Sequence, residues 1–258
     1  MLRPRIIPCL LIHKNGLVKT VNFCNPKYVG DPINAVRIFN EKEVDELMVI
    51  DIDATSQNCE PDYQLIEYIA AECRMPLCYG GGIKTAAQAQ RIFSLGVEKV
   101  ALSSIAVERP LLITEIAAIV GNQSVVIVMD IKKSESGQYK IYTYNGTKAT
   151  GLSPVDFAIQ VEQMGAGEIV VNSIDHDGLM NGYDLELVAQ IRQIVNVPIT
   201  VLGGAGSLKD IGQLINNYGT IGAAAGSLFV FKGPYKAVLI NYPNKEQKEK
   251  LIEDNFLL

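Results

Sequence analysis

Aspartates close several short apolar runs of the sequence, and these are the residues best suited to acid–base chemistry. Asp130 ends the run 124–129, and the others are Asp51, Asp53, Asp175 and Asp177. Burial at the end of a strand disfavours the charged carboxylate, so its pKa rises towards the range of a useful proton donor and acceptor. The competing interpretation of any one strand-end aspartate is a helix cap or a loop hydrogen bond. We predict that Asp130 is the general acid/base.

Two glycine clusters and two hydroxyl-bearing turns are suited to binding phosphate. Backbone N–H groups of glycine can approach an anion closely because no Cβ intervenes. The clusters contribute Gly81, Gly82, Gly203, Gly204 and Gly206, and the turns contribute Ser103, Ser104, Gly226 and Ser227. Ordinary tight turns between strands and helices would also explain one such cluster. Two clusters with matching turns predict two anion sites.

Eight apolar runs alternate with amphipathic segments. The predicted strands are Arg5–Leu11, Leu47–Ile52, Leu77–Tyr79, Lys99–Leu102, Ser124–Asp130, Glu168–Asn172, Ile199–Leu202 and Ile221–Ala225. The predicted helices are Pro32–Lys42, Asp62–Cys73, Ala86–Leu95, Leu111–Val120, Pro154–Met164, Leu185–Ile194 and Leu208–Asn217. Continuous apolar strands with helices between them predict a (β/α)8 barrel, also called a TIM barrel. An open doubly wound sheet is the alternative fold.

The second half of the chain repeats the first. Gly80 and Gly203, which begin the two clusters, are 123 residues apart, and so are Ser104 and Ser227. A fixed period indicates a duplicated unit. We therefore expect half-barrels over residues 1–122 and 123–240 of a single domain. A small hairpin near 138–144 and a surface helix at Asn244–Glu253, within a tail at 241–258, complete the predicted elements.

Composition excludes several function classes. The 258 residues carry a net charge of −5 and no basic run, so no nucleic-acid groove is expected. No apolar run is long enough for a membrane span, and a cytoplasmic location is expected. His13 and His176 are the only histidines. They lie in unrelated loops, so neither a metal site nor a cofactor is expected. No nucleophile elbow is present.

The motifs together resemble a known family. The stretches Arg5–Leu10, Gly80–Ile83, Gly165–Ile169, Ser173–Gly178 and Gly203–Gly206, with Asp51 and Asp130, resemble the cyclase subunit of imidazole glycerol phosphate synthase. The resemblance runs from the N-terminus to about Lys232. It implies a duplicated (β/α)8 barrel that takes ammonia from a class I glutaminase subunit and acts on a substrate with two phosphates. Lys19, Asp51 and Asp177 are then substrate-binding residues.

The same resemblance implies an ammonia gate at the amino-terminal end of the barrel. Its four charged residues are Arg5, Glu46, Lys99 and Glu168, each at or near a predicted strand start. Simple salt bridges between strand starts are the alternative interpretation. The full set of four favours a gate and a glutaminase partner.

Three places depart from the family pattern, and the mildest is the family's Asn-Thr turn, which is Ser103-Ser104 here. The family has a catalytic aspartate where this chain has Leu11, and leucine cannot transfer a proton. The family's serine before the second glycine cluster is Leu202 here. Loss of one acid/base group costs a reaction about 10²–10⁴-fold.

The segments Leu10-Leu11, 16–20 and 26–35 look closer to a paralogue from surface-polysaccharide pathways, which converts an acetamido sugar into an amidine with ammonia. An amide oxygen must first be made a leaving group, and the chain has no ATP-binding signature. A third protein that activates the amide, and a phosphorylated or nucleotide-linked substrate, are therefore expected.

Three functions stay open at this point. The first is amidine formation on an activated sugar. The second is ring closure in histidine biosynthesis, with Asp53, Asp177 or water in place of the lost aspartate. The third is a non-catalytic scaffold that docks or activates the glutaminase.

Overall fold

The computed structural model describes residues 3–253, and a closed barrel of eight parallel strands forms its centre. The strands are β1 (Arg5–His13), β2 (Gly16–Val21), β3 (Cys24–Gly30), β4 (Leu47–Asp51), β5 (Leu77–Gly80), β6 (Lys99–Leu102), β7 (Val125–Lys133), β8 (Tyr139–Thr143), β9 (Lys148–Ala149), β10 (Glu168–Ser173), β11 (Ile199–Leu202), β12 (Gly222–Ala225), β13 (Phe231–Lys232) and β14 (Ala237–Val238).

The barrel order is β1-β4-β5-β6-β7-β10-β11-β12, and pairing of β12 with β1 closes it. The predicted (β/α)8 barrel is therefore confirmed, and the open sheet is wrong. All eight predicted strands are present. β1 and β7 run beyond their predicted ends, to His13 and Lys133.

Helices cover the outside of the barrel. They are α1 (Pro32–Glu41), α2 (Tyr63–Glu72), α3 (Ala86–Ser94), α4 (Ser104–Glu108), α5 (Leu111–Val120), α6 (Pro154–Gln163), α7 (Leu185–Arg192), α8 (Leu208–Tyr218), α9 (Ser227–Val230) and α10 (Lys245–Glu253). All seven predicted barrel helices and the predicted helix near the C-terminus are present. Residues 254–258 of the predicted tail lie outside the described residues.

Local sequence explains where these helices begin. Asp31 caps α1 by accepting a hydrogen bond of 2.8 Å from the backbone N–H of Asn34, and Pro32 stands in the first turn. Ser153 and Pro154 repeat the arrangement at α6. A side-chain oxygen at this position satisfies an N–H group that has no partner inside the helix. α4 and α9 have five and four residues, which is too short for a helical period to show in the sequence.

Antiparallel hairpins extend two of the barrel strands beyond the barrel. β8 and β9 continue from β7, as the alternating residues 138–144 predicted. β2 and β3 continue from β1 in the same way, and this hairpin was not predicted. Its tight turns place pairs of residues at positive φ, Lys14 and Asn15 in the first and Asn22 and Phe23 in the second. Both hairpins leave the carboxyl-terminal ends of their barrel strands.

Alternate residues of each barrel strand serve two separate apolar layers. On β1, Ile6, Leu10 and Ile12 pack in the large layer between the strands and the helices. Ile7 and Cys9 face the barrel interior, with Met48, Cys78, Ala101, Val126, Val170 and Ala224 from the other strands. This alternation has the period of two that a strand imposes. The interior is therefore a packed core that opens to polar groups only at its two ends.

Candidate functional site

The carboxyl-terminal ends of the barrel strands surround a cavity, and all but one of the residues predicted for catalysis and substrate binding line it. They are Lys19, Asp51, Gly81, Gly82, Ser103, Ser104, Asp130, Asp177, Gly203, Gly204, Gly226 and Ser227. Gly206 does not line the cavity. A Cβ at Gly206 would stand 2.1 Å from the carbonyl oxygen of Met180, so this glycine serves close packing between two loops.

Asp130 lies near the end of β7 and receives two hydrogen bonds. Ser103 Oγ donates to its Oδ2 over 2.9 Å, and Asn172 Nδ2 donates to its Oδ1 over 2.8 Å. Burial raises the pKa of Asp130 to about 6, although both hydrogen bonds lower it, and the charge of Asp177 adds to the rise. A carboxyl group with this pKa exchanges protons readily near neutral pH. The geometry therefore suits the predicted acid/base role.

Asn172 was missed by sequence reasoning. It pairs in register with Asp130 across β10 and β7, so the two side chains stand at the same level of the barrel wall. A polar residue after the apolar run Ile169–Val171, at a strand end, is the signal that would have identified it. Ser103 donates a hydrogen bond to Asp130, and its role in phosphate binding stays a prediction.

Asp51 and Asp177 line the cavity and also hold its loops. Asp51 Oδ1 accepts hydrogen bonds from the backbone N–H groups of Asp53 and Ala54, at 2.8 and 3.1 Å. Asp177 Oδ2 accepts one from Thr20 Oγ1 at 2.7 Å. Burial raises the pKa of each carboxyl, partly offset by these hydrogen bonds. These two aspartates therefore make the loop hydrogen bonds of the competing interpretation, and they also line the cavity.

Lys19 is the buried cation of the cavity, with 5% of its surface exposed. It comes from β2, and its Nζ donates a 2.5 Å hydrogen bond to the carbonyl oxygen of Cys9. Burial lowers the pKa of Lys19, while the nearby Cys9 and Asp177 raise it. Gly226 leaves room for the ammonium group, because a Cβ there would lie 2.7 Å from Nζ.

The glycine clusters form the predicted tight turns after β5 and β11. Gly82 has φ +72° and Gly203 has φ +93°, values that side-chain-bearing residues rarely adopt. A Cβ at Gly203 would lie 2.5 Å from the carbonyl oxygen of Ser173. Both turns line the cavity, as do Ser104 and Ser227, which begin the short helices α4 and α9. Ser104 Oγ also accepts a hydrogen bond from the Tyr144 N–H at 3.0 Å.

Four charged residues form a closed ring at the opposite end of the barrel. Arg5 Nη2 donates to Glu168 at 2.8 Å, and Lys99 Nζ donates to Glu46 and to Glu168, each at 2.9 Å. Arg5 Nη1 completes the ring with Glu46. Each cation thus contacts both carboxylates. These are the four residues predicted for the gate.

The two carboxylates of the ring are buried. Glu46 and Glu168 are only 3% and 4% exposed. Burial raises the pKa of Glu168, but the charges of Arg5 and Lys99 outweigh it and hold the pKa below its ordinary value. Thr200 Oγ1 donates a further hydrogen bond to Glu168. Glu168 is therefore ionised at neutral pH in partnership with the two cations.

The structure does not bring the two histidines into a metal centre. His13 Nδ1 lies 2.7 Å from Asp53 Oδ1, and Asn22 bridges the carbonyl groups of Ile174 and Asp175 near His176. Among residues 3–253, no three His, Cys, Asp or Glu side chains are grouped so that they could hold an ion. No helix in the same range is long and apolar enough to cross a membrane.

Comparison with known proteins agrees with this architecture. Residues 5–236 match the family model described as "Histidine biosynthesis protein". The chain belongs to this family. A protein of Leptospira interrogans named "Putative imidazole glycerol phosphate synthase subunit HisF" is 59% identical over 97% of this chain and 99% of its own.

Two further relatives align with almost as much of this chain. The Pseudomonas aeruginosa relative named "Putative imidazole glycerol phosphate synthase subunit hisF2" is 53% identical over 95% of this chain and 97% of its own. The imidazole glycerol phosphate synthase subunit HisF of Alkaliphilus metalliredigens is 41% identical over 89% of this chain and 91% of its own. The chain is therefore a HisF-like synthase subunit, as the sequence motifs indicated.

Proposed function

We propose that this chain is the ammonia-using subunit of a glutamine amidotransferase and that it forms an amidine on an activated acetamido sugar. One observation carries the proposal: Leu11, not an acid, faces Asp130 across the barrel. β1 and β7 are four strands apart in either direction around the eight-stranded barrel, so they stand on opposite walls. Leu11 and Asp130 both line the cavity.

A single acid/base group suits amidine formation better than closure of an imidazole ring. Attack of ammonia on an O-activated imidate forms one C–N bond and breaks one C–O bond. The nitrogen loses one proton, which Asp130 takes and passes to the leaving oxygen. The products are the amidine and the hydroxyl form of the activating group. Ring closure needs more proton transfers, for which a second acid/base residue opposite Asp130 is an advantage.

The proposal includes two partners. A class I glutaminase would bind the end of the barrel that carries the charged ring and deliver ammonia there. A second protein would activate the acetamido oxygen by phosphoryl or nucleotidyl transfer. The glycine turns after β5 and β11 would then hold the phosphate groups of a phosphorylated or nucleotide-linked sugar, with Lys19 as the nearby cation.

The first experiment tests the competing function directly. Purified chain is incubated with an ammonium salt and the open-chain phosphoribulosyl formimino carboxamide ribotide, and ring closure is followed for wild type, Leu11→Asp and the matched uncharged control Leu11→Asn. We expect no wild-type turnover, measurable turnover with Leu11→Asp and none with Leu11→Asn. Clear wild-type turnover would overturn the amidine proposal in favour of ring closure.

The second experiment looks for the amidine itself. Cells carrying the wild-type gene, a deletion or Asp130→Asn are grown with glutamine labelled with ¹⁵N at its amide. Surface sugars are then analysed by mass spectrometry. We expect an acetamido oxygen to be replaced by labelled nitrogen only in the wild type. Replacement in the Asp130→Asn cells would instead support the scaffold function.

A further inference from the structure

The Asn172 side chain has one hydrogen-bonding atom in use and one without a partner. Its Nδ2 donates to Asp130, and its Oδ1 accepts no hydrogen bond from any residue in the described range 3–253. The residue is 5% exposed and lines the cavity. A buried carbonyl oxygen without a donor is unfavourable, so such an atom points to a donor from a ligand.

The side chains of the neighbouring strand β11 and the turn after it do not supply that donor. Asn172 pairs in register with Leu202 on one side, and Gly203 follows Leu202. A Cβ at Gly203 would lie 3.3 Å from Asn172 Oδ1. Glycine at this position therefore leaves the approach to the oxygen open, and apolar Leu202 offers no hydrogen bond. A partner can therefore reach this oxygen from the cavity that Asn172 lines.

Asn172 also ends a column that begins at the charged ring. Side chains two apart on a strand share a face, so Glu168, Val170 and Asn172 of β10 all face the barrel interior. Glu168 belongs to the ring and Val170 to the interior layer. The column spans about 13 Å at about 3.3 Å per residue. Asn172 is thus the first polar side chain on this strand that a small molecule from the ring would meet.

We infer that Asn172 is a positioning residue for the nucleophile: its Oδ1 accepts a hydrogen bond from an N–H of ammonia and holds the nitrogen beside Asp130. This inference rests on the proposed use of ammonia but not on the identity of the acceptor. With one N–H directed to Asn172 and another to Asp130, the nitrogen lone pair points into the cavity. Attack then transfers one proton to Asp130, and Asn172 gains and loses none.

Ammonia binding can be measured without any carbon substrate. The side-chain ¹⁵N amide signal of Asn172 is assigned by its absence from Asn172→Asp, and the full chain is titrated with ammonium chloride at an alkaline pH where part is present as ammonia. We expect a saturable shift of this signal. Asn40 is the internal control, because its Nδ2 and Oδ1 are both bonded within the protein, at 2.6 and 3.0 Å.

A series of methylated amines tests whether the shift requires an N–H group. At a pH high enough to keep the amines as free bases, methylamine and dimethylamine keep an N–H and should shift the Asn172 signal, whereas trimethylamine, nearly as large as dimethylamine, has none and should not. No shift with ammonia, or an equal shift with trimethylamine, would overturn the inference. Neither result depends on whether the sugar product is an amidine, so failure of the proposed function remains a separate outcome.

Variants give a second readout at Asp130. The carboxyl ¹³C signal of Asp130 should also respond to ammonia in the wild type. We expect the apparent dissociation constant for ammonia to be about tenfold higher in Asn172→Leu, which is the loss expected from one hydrogen bond. Asn172→Thr, which keeps an acceptor oxygen, should lose less. Equal constants in folded Asn172→Leu and wild type, with folding checked by circular dichroism, would show that Asn172 only orients Asp130.

Discussion

Thr20 Oγ1 donates a 2.7 Å hydrogen bond to Asp177 Oδ2, joining the hairpin of β2 and β3 to the turn that follows β10. The backbone N–H of Phe23 donates to the same oxygen, over 3.2 Å. A buried carboxylate of one predicted half-barrel therefore holds a loop of the other. The contact is next to Lys19, which precedes Thr20 on β2 and lines the cavity.

Thr20→Val should weaken this connection. Valine has the same shape but no donor, so we expect a loss of about 1–2 kcal/mol in the free energy of unfolding, measured by urea denaturation. Asp177→Asn should cost less, because its amide oxygen can still accept from Thr20. The double variant should cost less than the sum of the two single changes, and strict additivity would show that the two side chains do not interact.

The hairpin also shows where the sequence was insufficient. Barrel strands such as β11 were predicted with their observed bounds because a strand covered on both faces is a continuous apolar run. β2 and β3 carry Lys19, Thr20 and Lys27 amid mixed residues, so they show no such run. The Asn15-Gly16 pair is a known hairpin signal and would have indicated a turn within one residue of the observed one at Lys14 and Asn15.

The sequence predicted which residues line the site better than it predicted the hydrogen bonds between them. Asp130 was found because it follows an apolar run. Its bond to Asn172 depends on the register between β7 and β10, which are separated by a hairpin and a helix, so local pattern did not reveal it. For the same reason the sequence did not show that Ser103 bonds to Asp130, or that Asp51 holds its own turn.

A side chain at Gly82 should destabilise the turn and with it the folded protein. Gly82→Ala would force positive φ on alanine and place its Cβ 2.9 Å from Cβ of Ala54. Gly137→Ala is the matched control, because Gly137 has φ +79° with no atom within 4 Å. We expect about 1 kcal/mol of destabilisation for the control and at least about 1 kcal/mol more for Gly82→Ala.

If this turn holds phosphate, inorganic phosphate should raise the melting temperature of the wild type and of Gly137→Ala but not of Gly82→Ala. Thermal scans over a phosphate series, with ionic strength balanced by chloride, measure the shift. An equal shift in all three proteins would place phosphate elsewhere.

Removing one carboxylate from the charged ring should lower the free energy of unfolding. Glu168→Gln leaves Arg5 and Lys99 sharing one carboxylate, and we expect about 3 kcal/mol of destabilisation at pH 7. Because the pKa of Glu168 lies below its ordinary value, the ring's contribution is present above pH 4.5 and is lost as pH falls through the folded pKa. The difference between wild type and Glu168→Gln should shrink accordingly.

Glu162→Gln is the control for the loss of one charge. Glu162 accepts hydrogen bonds from the backbone N–H groups of Asn196 and Val197, at 2.7 and 2.9 Å, which glutamine can also accept. Its cost should stay below about 1 kcal/mol at pH 7. Equal effects of the two variants would mean that the ring adds nothing beyond an ordinary surface charge.

The ionised Asp130 carboxylate should lower the free energy of unfolding near neutral pH. Its pKa of about 6 lies above the ordinary value of 3.8, so the folded protein binds more protons than the unfolded chain between these pH values. The free energy of unfolding therefore falls as pH rises through that window, and the penalty is complete above it. Asp130→Asn removes the penalty and can still bond to both Asn172 and Ser103, since the hydroxyl can reverse its direction.

We therefore expect Asp130→Asn to be more stable than wild type by about 3 kcal/mol at pH 8, with the difference vanishing near pH 4. Urea denaturation at a series of pH values measures this. The same variant should lose amidine formation by at least about 10²-fold, while wild-type activity declines below pH 6 as the base is protonated. A variant that is less stable at pH 8 would show that Asp130 serves the fold, because a carboxylate kept for catalysis is one that the folded state would be more stable without.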